Sequence, residues 1–222
     1  MIPLEHLDTA QVPGGEELRL MRRGTDHMIV LDRNELMNSR MSGSEETLAT
    51  WTAERLEGRA KQSWLIGGYG MGFTLRAAQK VLAGDARITV AEIVPKIVEW
   101  AKGPMAELTG DCLEDPRVEL VLGDVALMIA RSRGAYDAIL LDVDNGPDGL
   151  VRQENDRLYS REGLQVTKAA LKPGGVLAIW SAGQDPVFAN RLRRSGFHVE
   201  ERIVRARSNG KGPRHVIWFA RK

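Results

Sequence analysis

Several of the acids in this chain stand at the ends of apolar runs, where chemistry can use them. The stretch "YDAILLDVDNGPDG" carries Asp142 flush with the end of a strand-like run, with Asp144, Asn145 and Asp148 in the polar loop beyond it. Carboxylates at the carboxyl end of a buried strand lie where open parallel sheets hold their ligands. Crowding there raises the pKa of one acid, which can then act as a base, or it draws in a cation. The same residue types also make ordinary surface turns, and Asp148 is assigned to one. Asp142 and Asp144 are the candidate catalytic acids.

A second group surrounds "WLIGGYGMGFTLR". Gly68, Gly70 and Gly72 follow an apolar run and precede a helical pattern, and glycines there let a backbone pass close to a ligand. Glu92 ends the next apolar run twenty positions after Gly72, the spacing at which a strand-end carboxylate can accept hydrogen bonds from a ribose diol. Asp124 follows "LVLG" and opens a helix. It reads equally as a helix cap and as an acceptor for an adenine amine, and the two roles are compatible. No Lys followed by Ser or Thr trails the glycines, so a triphosphate cradle is unsupported. A nucleoside with a sulfonium side chain satisfies the set without any phosphate contact.

The elements that must position these residues alternate. Strand-length runs are expected at Trp64–Gly68, Arg87–Ile93, Arg117–Leu122, Tyr136–Asp142 and Gly175–Trp180. Helices are expected at Phe73–Leu82, Pro95–Leu108, Val125–Arg133, Arg161–Leu171 and Asp185–Ser195. That alternation makes an α/β chain with a parallel sheet. The ending differs, because two strand-like runs joined at Ser208–Pro213 predict an antiparallel hairpin where a plain dinucleotide fold would add a crossover helix. Residues 1–62 form an extension, with a small hairpin around Gly24 and a helix over Gly43–Glu57 capped by Ser42 or Ser44. Residues 63–222 form the core. Glu45 and Glu46 are read as a solvated face of that helix, open to a cationic ligand.

Bulk properties remove other classes. With 31 Lys and Arg against 30 Asp and Glu, the formal charge of +1 gives no electrostatic case for nucleic acid or a membrane surface. Cys112 is the only cysteine and His6, His27, His198 and His215 are scattered, so neither a disulfide framework nor a metal site is expected. The basic terminal hairpin reads as a solvated face. The acidic start lacks a secretory pattern and no apolar run reaches spanning length, so a soluble cytoplasmic protein is expected.

Taken together, "WLIGGYGMGFTLRAAQ", "AEIVPKIVEWA", "LGDVALMI", "YDAILLDVDNGP" and "LYSREGLQVTKAALKPGGVLAIW" resemble the class I S-adenosylmethionine-dependent transferases, and among them the spermidine synthase (polyamine aminopropyltransferase) family. The resemblance implies a Rossmann-like methyltransferase fold with a mostly parallel seven-stranded sheet. It implies S-adenosylmethionine or its decarboxylated form as co-substrate, no metal, and a small-molecule acceptor of polyamine type. It gives Gly68, Gly70 and Gly72 the cofactor's side chain, Glu92 its ribose and Asp124 its adenine, and makes Asp142 the base that deprotonates the attacking amine. Related enzymes are often dimers, so a homodimer is an expectation of the same kind. The chain departs from the family pattern in three places. Gly70 and Met71 stand where the family's glycine motif has an Asp, the acids after the fourth strand are spaced differently, and Leu36 or Met37 and Glu45 fall near a substrate-pocket Gln and Tyr. A methyltransferase on another small molecule and a non-catalytic nucleoside-binding protein are the alternatives.

Overall fold

The computed structural model describes residues 2–13, 16–32, 34–143 and 156–222. It opens with an antiparallel meander of β1 (Glu5–Gln11), β2 (Glu17–Arg23), β3 (Asp26–Leu31) and β4 (Asn34–Asn38), in that order. The predicted hairpin is its middle, turning at Gly24 with φ +63°. The sequence concealed the outer strands. A register shift between His6 and Asp8 interrupts β1, and β4 offers only the adjacent apolar pair Leu36 and Met37, so neither shows a clean period of two. Asp8 ties the meander to the rest of the chain by accepting from Trp100 Nε1 at 2.9 Å and pairing with Lys96 at 3.3 Å.

Helix α1 (Gly43–Arg55) follows. Ser42 stands at its N-cap, but neither Ser42 nor Ser44 caps it, which corrects the sequence expectation: Ser44 turns inward and bonds Glu45 and His215 instead. Then come β5 (Ser63–Gly67), α2 (Phe73–Val81), β6 (Arg87–Glu92), α3 (Pro95–Lys102), α4 (Ala106–Thr109), β7 (Val118–Leu122), α5 (Val125–Ala130) and β8 (Tyr136–Leu141). After the undescribed stretch lie α6 (Asp156–Tyr159), α7 (Arg161–Ala170), β9 (Leu171–Ser181), α8 (Pro186–Arg194), β10 (His198–Arg205) and β11 (Arg214–Arg221).

Three expected elements change their bounds for backbone reasons. The helix expected over Pro95–Leu108 breaks between α3 and α4, because Pro104 lacks a donor and forces Gly103 out of helical backbone to φ −115°, ψ −108°. The "KPGG" segment is not a separate turn. It is the irregular first part of β9, which pairs with β8 from Leu171 onward with a register shift, and Gly174 takes φ +67° within it. The helix expected to reach Arg133 stops at Ala130.

Strands β5 to β11 make one seven-stranded sheet in the order β10-β11-β9-β8-β5-β6-β7. Pairs among β5 to β9 are parallel, whereas β11 runs antiparallel to both its neighbours. Both faces are buried, and alternate residues show it. Trp64, Ile66, Ala138 and Leu140 pack under α1, α2 and α3, while Leu65, Ile139, Leu141 and Ile179 pack under α5, α7 and α8. This is the three-layer, doubly wound architecture that the alternation predicted.

Two consequences position the site. The order reverses beside β5, with β6 on one side and β8 on the other, which opens a crevice above the carboxyl ends of these strands. Because β11 is reversed, its first residues reach that same edge. Helix α1 starts at this edge and is held on the sheet face by the terminal hairpin: Gly43 N donates to Ala206 O at 2.8 Å, and Arg55 pairs with Glu200 at 2.5 Å while stacking over Phe219.

Candidate active site

The crevice is bordered below by the strand ends and above by the meander. Gly68 and Gly70 lie along its floor, and each needs to be glycine. Gly68 has φ +86°, and a Cβ there would sit 2.3 Å from the Asp142 carbonyl oxygen. Gly70 has φ +53°, and its Cβ would meet Met37 Cε at 2.9 Å. Gly72 does not border the crevice. It is the left-handed N-cap of α2, turned toward the Tyr69 ring, so the turn by itself accounts for a glycine there.

Glu92 ends β6 at the crevice, buried. Its Oε2 accepts from Tyr69 N at 3.0 Å and its Oε1 from Val94 N at 2.9 Å, so the carboxylate is held rigid by the glycine turn and the next helix. Burial nonetheless pushes its pKa up against those backbone donors. Asp124 does what one of its two readings requires: Oδ1 accepts from Ala126 N at 2.7 Å and caps α5, while the residue borders the crevice.

Asp142 lies just past the end of β8, where its Oδ2 accepts from Thr74 Oγ1 at 3.0 Å. Its backbone is locked to β5, with Asp142 N donating to Gly67 O at 3.1 Å. Asp144 lies outside the described residues, as do Asn145 and Asp148.

The sequence misassigned one acid. Glu45 is no solvated face: it is 6 % exposed, borders the crevice, and feels the charge of Asp142. Burial is the first cause and repulsion by Asp142 the second of a rise in its pKa to about 8; burial likewise lifts Asp142 to about 6. A signal for this existed. Glu45, Leu48, Ala49 and Thr52 are buried at positions i, i+3, i+4 and i+7, so the acid sits in the inward stripe of α1. Ser44 and His215 stand behind Glu45, and Trp180, at the end of β9, borders the crevice with its ring edge against His215. Nothing in the sequence connected His215 with residues 44 and 45. Leu36 and Met37 line the apolar roof with Val12, Leu18 and Ile29.

Among the described residues, no cluster of three or more His, Cys, Asp or Glu side chains could hold a metal, and no helix is long and apolar enough to cross a membrane. The donor set suits an uncharged, hydroxyl-rich ligand at the Glu92 and Asp124 end and a cation at the Glu45 and Asp142 end.

The sheet order, with one reversed strand inserted next to last, defines the class I methyltransferase-type α/β fold. Residues 45–192 match the spermine/spermidine synthase domain, and the chain belongs to that family. It is 32 % identical over 147 residues to a polyamine aminopropyltransferase of Korarchaeum cryptofilum, covering 66 % of this chain and 42 % of that one. It is 35 % identical over 118 residues to putrescine N-methyltransferase 4 of Nicotiana tabacum, covering 53 % of this chain and 28 % of the relative. The chain thus spans less than half the length of these curated relatives. The spermidine synthase structure from Thermotoga maritima shares the fold with a TM-score of 0.75 at 19 % identity, over 98 % of this chain and 72 % of that one.

Proposed function

We propose that the chain is an aminopropyltransferase that moves an aminopropyl group from decarboxylated S-adenosylmethionine to an amine of polyamine type. The observation that carries this reading is the pair Glu45 and Asp142, one buried and one half-buried carboxyl of raised pKa lining a crevice that Glu92 and Asp124 also line. An amine nucleophile must lose its proton before it attacks the carbon next to the sulfonium, and methylthioadenosine then leaves. Asp142, lifted toward neutrality, is the base for that proton. Glu45, once ionised, is the counter-charge that holds the ammonium end of the acceptor. Glu92 takes the ribose hydroxyls and Asp124 the adenine amine through the oxygen it does not use as a cap. Gly68 and Gly70 leave room for the chain between them.

This assignment is supported by membership of the family and by the chemistry of the four acids. It is tested by transfer assays with decarboxylated and intact S-adenosylmethionine against a series of diamines. Aminopropyl transfer is expected only with the decarboxylated form. In Asp142→Asn the turnover is expected to fall by about 10²–10⁴, the usual contribution of a general base, with the dissociation constant of methylthioadenosine nearly unchanged. Methyl transfer from the intact form, or unchanged turnover in the variant, would sink the proposal.

A further inference from the structure

The acid that faces the acceptor is braced from behind by residues to which the reaction gives no role. Ser44 is fully buried on α1, and its Oγ lies 2.6 Å from Glu45 Oε2 and 2.9 Å from His215 Nδ1. A hydroxyl has one proton to give. If Ser44 donates it to an ionised Glu45, its oxygen accepts from His215, which fixes the imidazole proton on Nδ1. His215 is buried at the start of β11, and burial lowers its pKa, so a neutral ring with a single proton is the form this arrangement needs. The ring is itself held in place, edge-on to Trp180 with centroids 4.8 Å apart. Gly43, one residue before Ser44, is pressed against the same hairpin so closely that a Cβ would lie 2.4 Å from Ser208 N.

We propose that His215 is a positioning residue for the acceptor site: through Ser44 it aims the Glu45 carboxyl into the crevice and favours its ionised form. The proposal rests on the reading of Glu45 as the anchor for the acceptor's ammonium. The charges that bear on Glu45 from other elements are Asp142 beyond β8 and, on α1 itself, Glu46, and both oppose its ionisation. The bond from Ser44 acts the other way, because a donor to a carboxylate stabilises the charged state. Removing that donor therefore raises the pH at which Glu45 ionises.

The test is a carbon-detected NMR titration of Glu45, labelled at its carboxyl carbon, in an Asp142→Asn background so that the midpoint belongs to one group. Ser44→Ala and His215→Phe are introduced in turn, the second keeping a ring against Trp180. Each is expected to raise the midpoint by about 0.5–1 pH unit, the size of one modest hydrogen bond. His215→Asn, which returns an N–H near the place of Nδ1, is expected to restore it. With Asp142 present, the same variants are expected to raise KM for the amine about 3–10-fold with kcat within about twofold, since uniform binding of the cation is what is lost. A midpoint unmoved in His215→Phe, with the thermal unfolding of that variant unchanged, overturns the proposal. So does an equal rise of KM in His215→Asn. If the unmutated chain transfers nothing to any amine, the proposed reaction fails, while the titration still decides whether His215 governs Glu45.

Discussion

The glycine turn with Gly68 and Gly70, and the acids Glu92 and Asp124, come from consecutive strands β5, β6 and β7 and hang on the backbone of those strands. The opposite wall is assembled from afar: Glu45 and Ser44 from α1, Trp180 from β9, His215 from β11, with 171 positions between Ser44 and His215. The first wall is fixed by backbone geometry, the second by side chains meeting across the sheet. A local wall keeps its ligand chemistry as long as a few turns are kept. A wall built at long range can change its ligand chemistry through residues that never touch the ligand.

Single substitutions should separate the walls. The largest effect is expected from Gly68→Ala, where left-handed backbone and a contact of 2.3 Å with the Asp142 carbonyl combine to cost about 2–4 kcal/mol. Thermal unfolding should show the loss, and methylthioadenosine binding should weaken with it; a fully stable variant would mean that the turn can move. Gly43→Ala meets Ser208 N at 2.4 Å without backbone strain, for about 1–3 kcal/mol. Its mark should be a raised KM for the amine with nucleoside binding kept, and equal damage to both would erase the distinction between the walls.

Glu92→Gln keeps the shape and the hold on Val94 and Tyr69 only in part, and should weaken nucleoside binding by about 10-fold, the worth of a charge-assisted hydrogen bond, with little change in KM for the amine. Calorimetry beside steady-state kinetics reads both.

A separate effect, read across pH rather than in one condition, is expected in the pH dependence of stability. Glu45 titrates higher in the folded chain than its ordinary 4.5, so between that value and about 8 the folded chain holds the proton that the unfolded chain has lost. Its contribution is therefore greatest below the lower value and declines as pH rises through the window, by on the order of 2–4 kcal/mol if nothing else shifts. Urea unfolding of Glu45→Gln should show a flatter profile from pH 5 to 8 than the unmutated chain; parallel profiles would mean that Glu45 is not desolvated.

The same contrast explains what could be read in the sequence. Gly68, Gly70, Glu92 and Asp142 were legible because strand, turn and helix succeed one another along the chain, so spacing alone puts them on one edge. Gly72 belonged to the same pattern and yet caps α2, since spacing cannot say which glycine lines the crevice. Glu45 was mistaken because half of the inward stripe of α1 is polar, with Ser44 and Thr52 beside Leu48 and Ala49, which blurs the period that marks a buried face. His215 was illegible, because its partners are fixed only when β11 enters the sheet. β1 and β4 escaped through a register shift and a two-residue apolar pair.

The reversed strand carries a further consequence. Among the described residues β10 is an edge strand hydrogen-bonded to the sheet only through β11, and these two strands, with the segment between them, supply the Ala206, Glu200 and His215 contacts that hold α1. A local opening that starts at this edge would release both ends of α1 while β5, β6 and β8 stay paired. In hydrogen-exchange terms, the amides of α1 around Glu45 are expected to exchange faster than those of β5 and the glycine turn, so that the proposed acceptor wall would open while the proposed nucleoside wall stays formed.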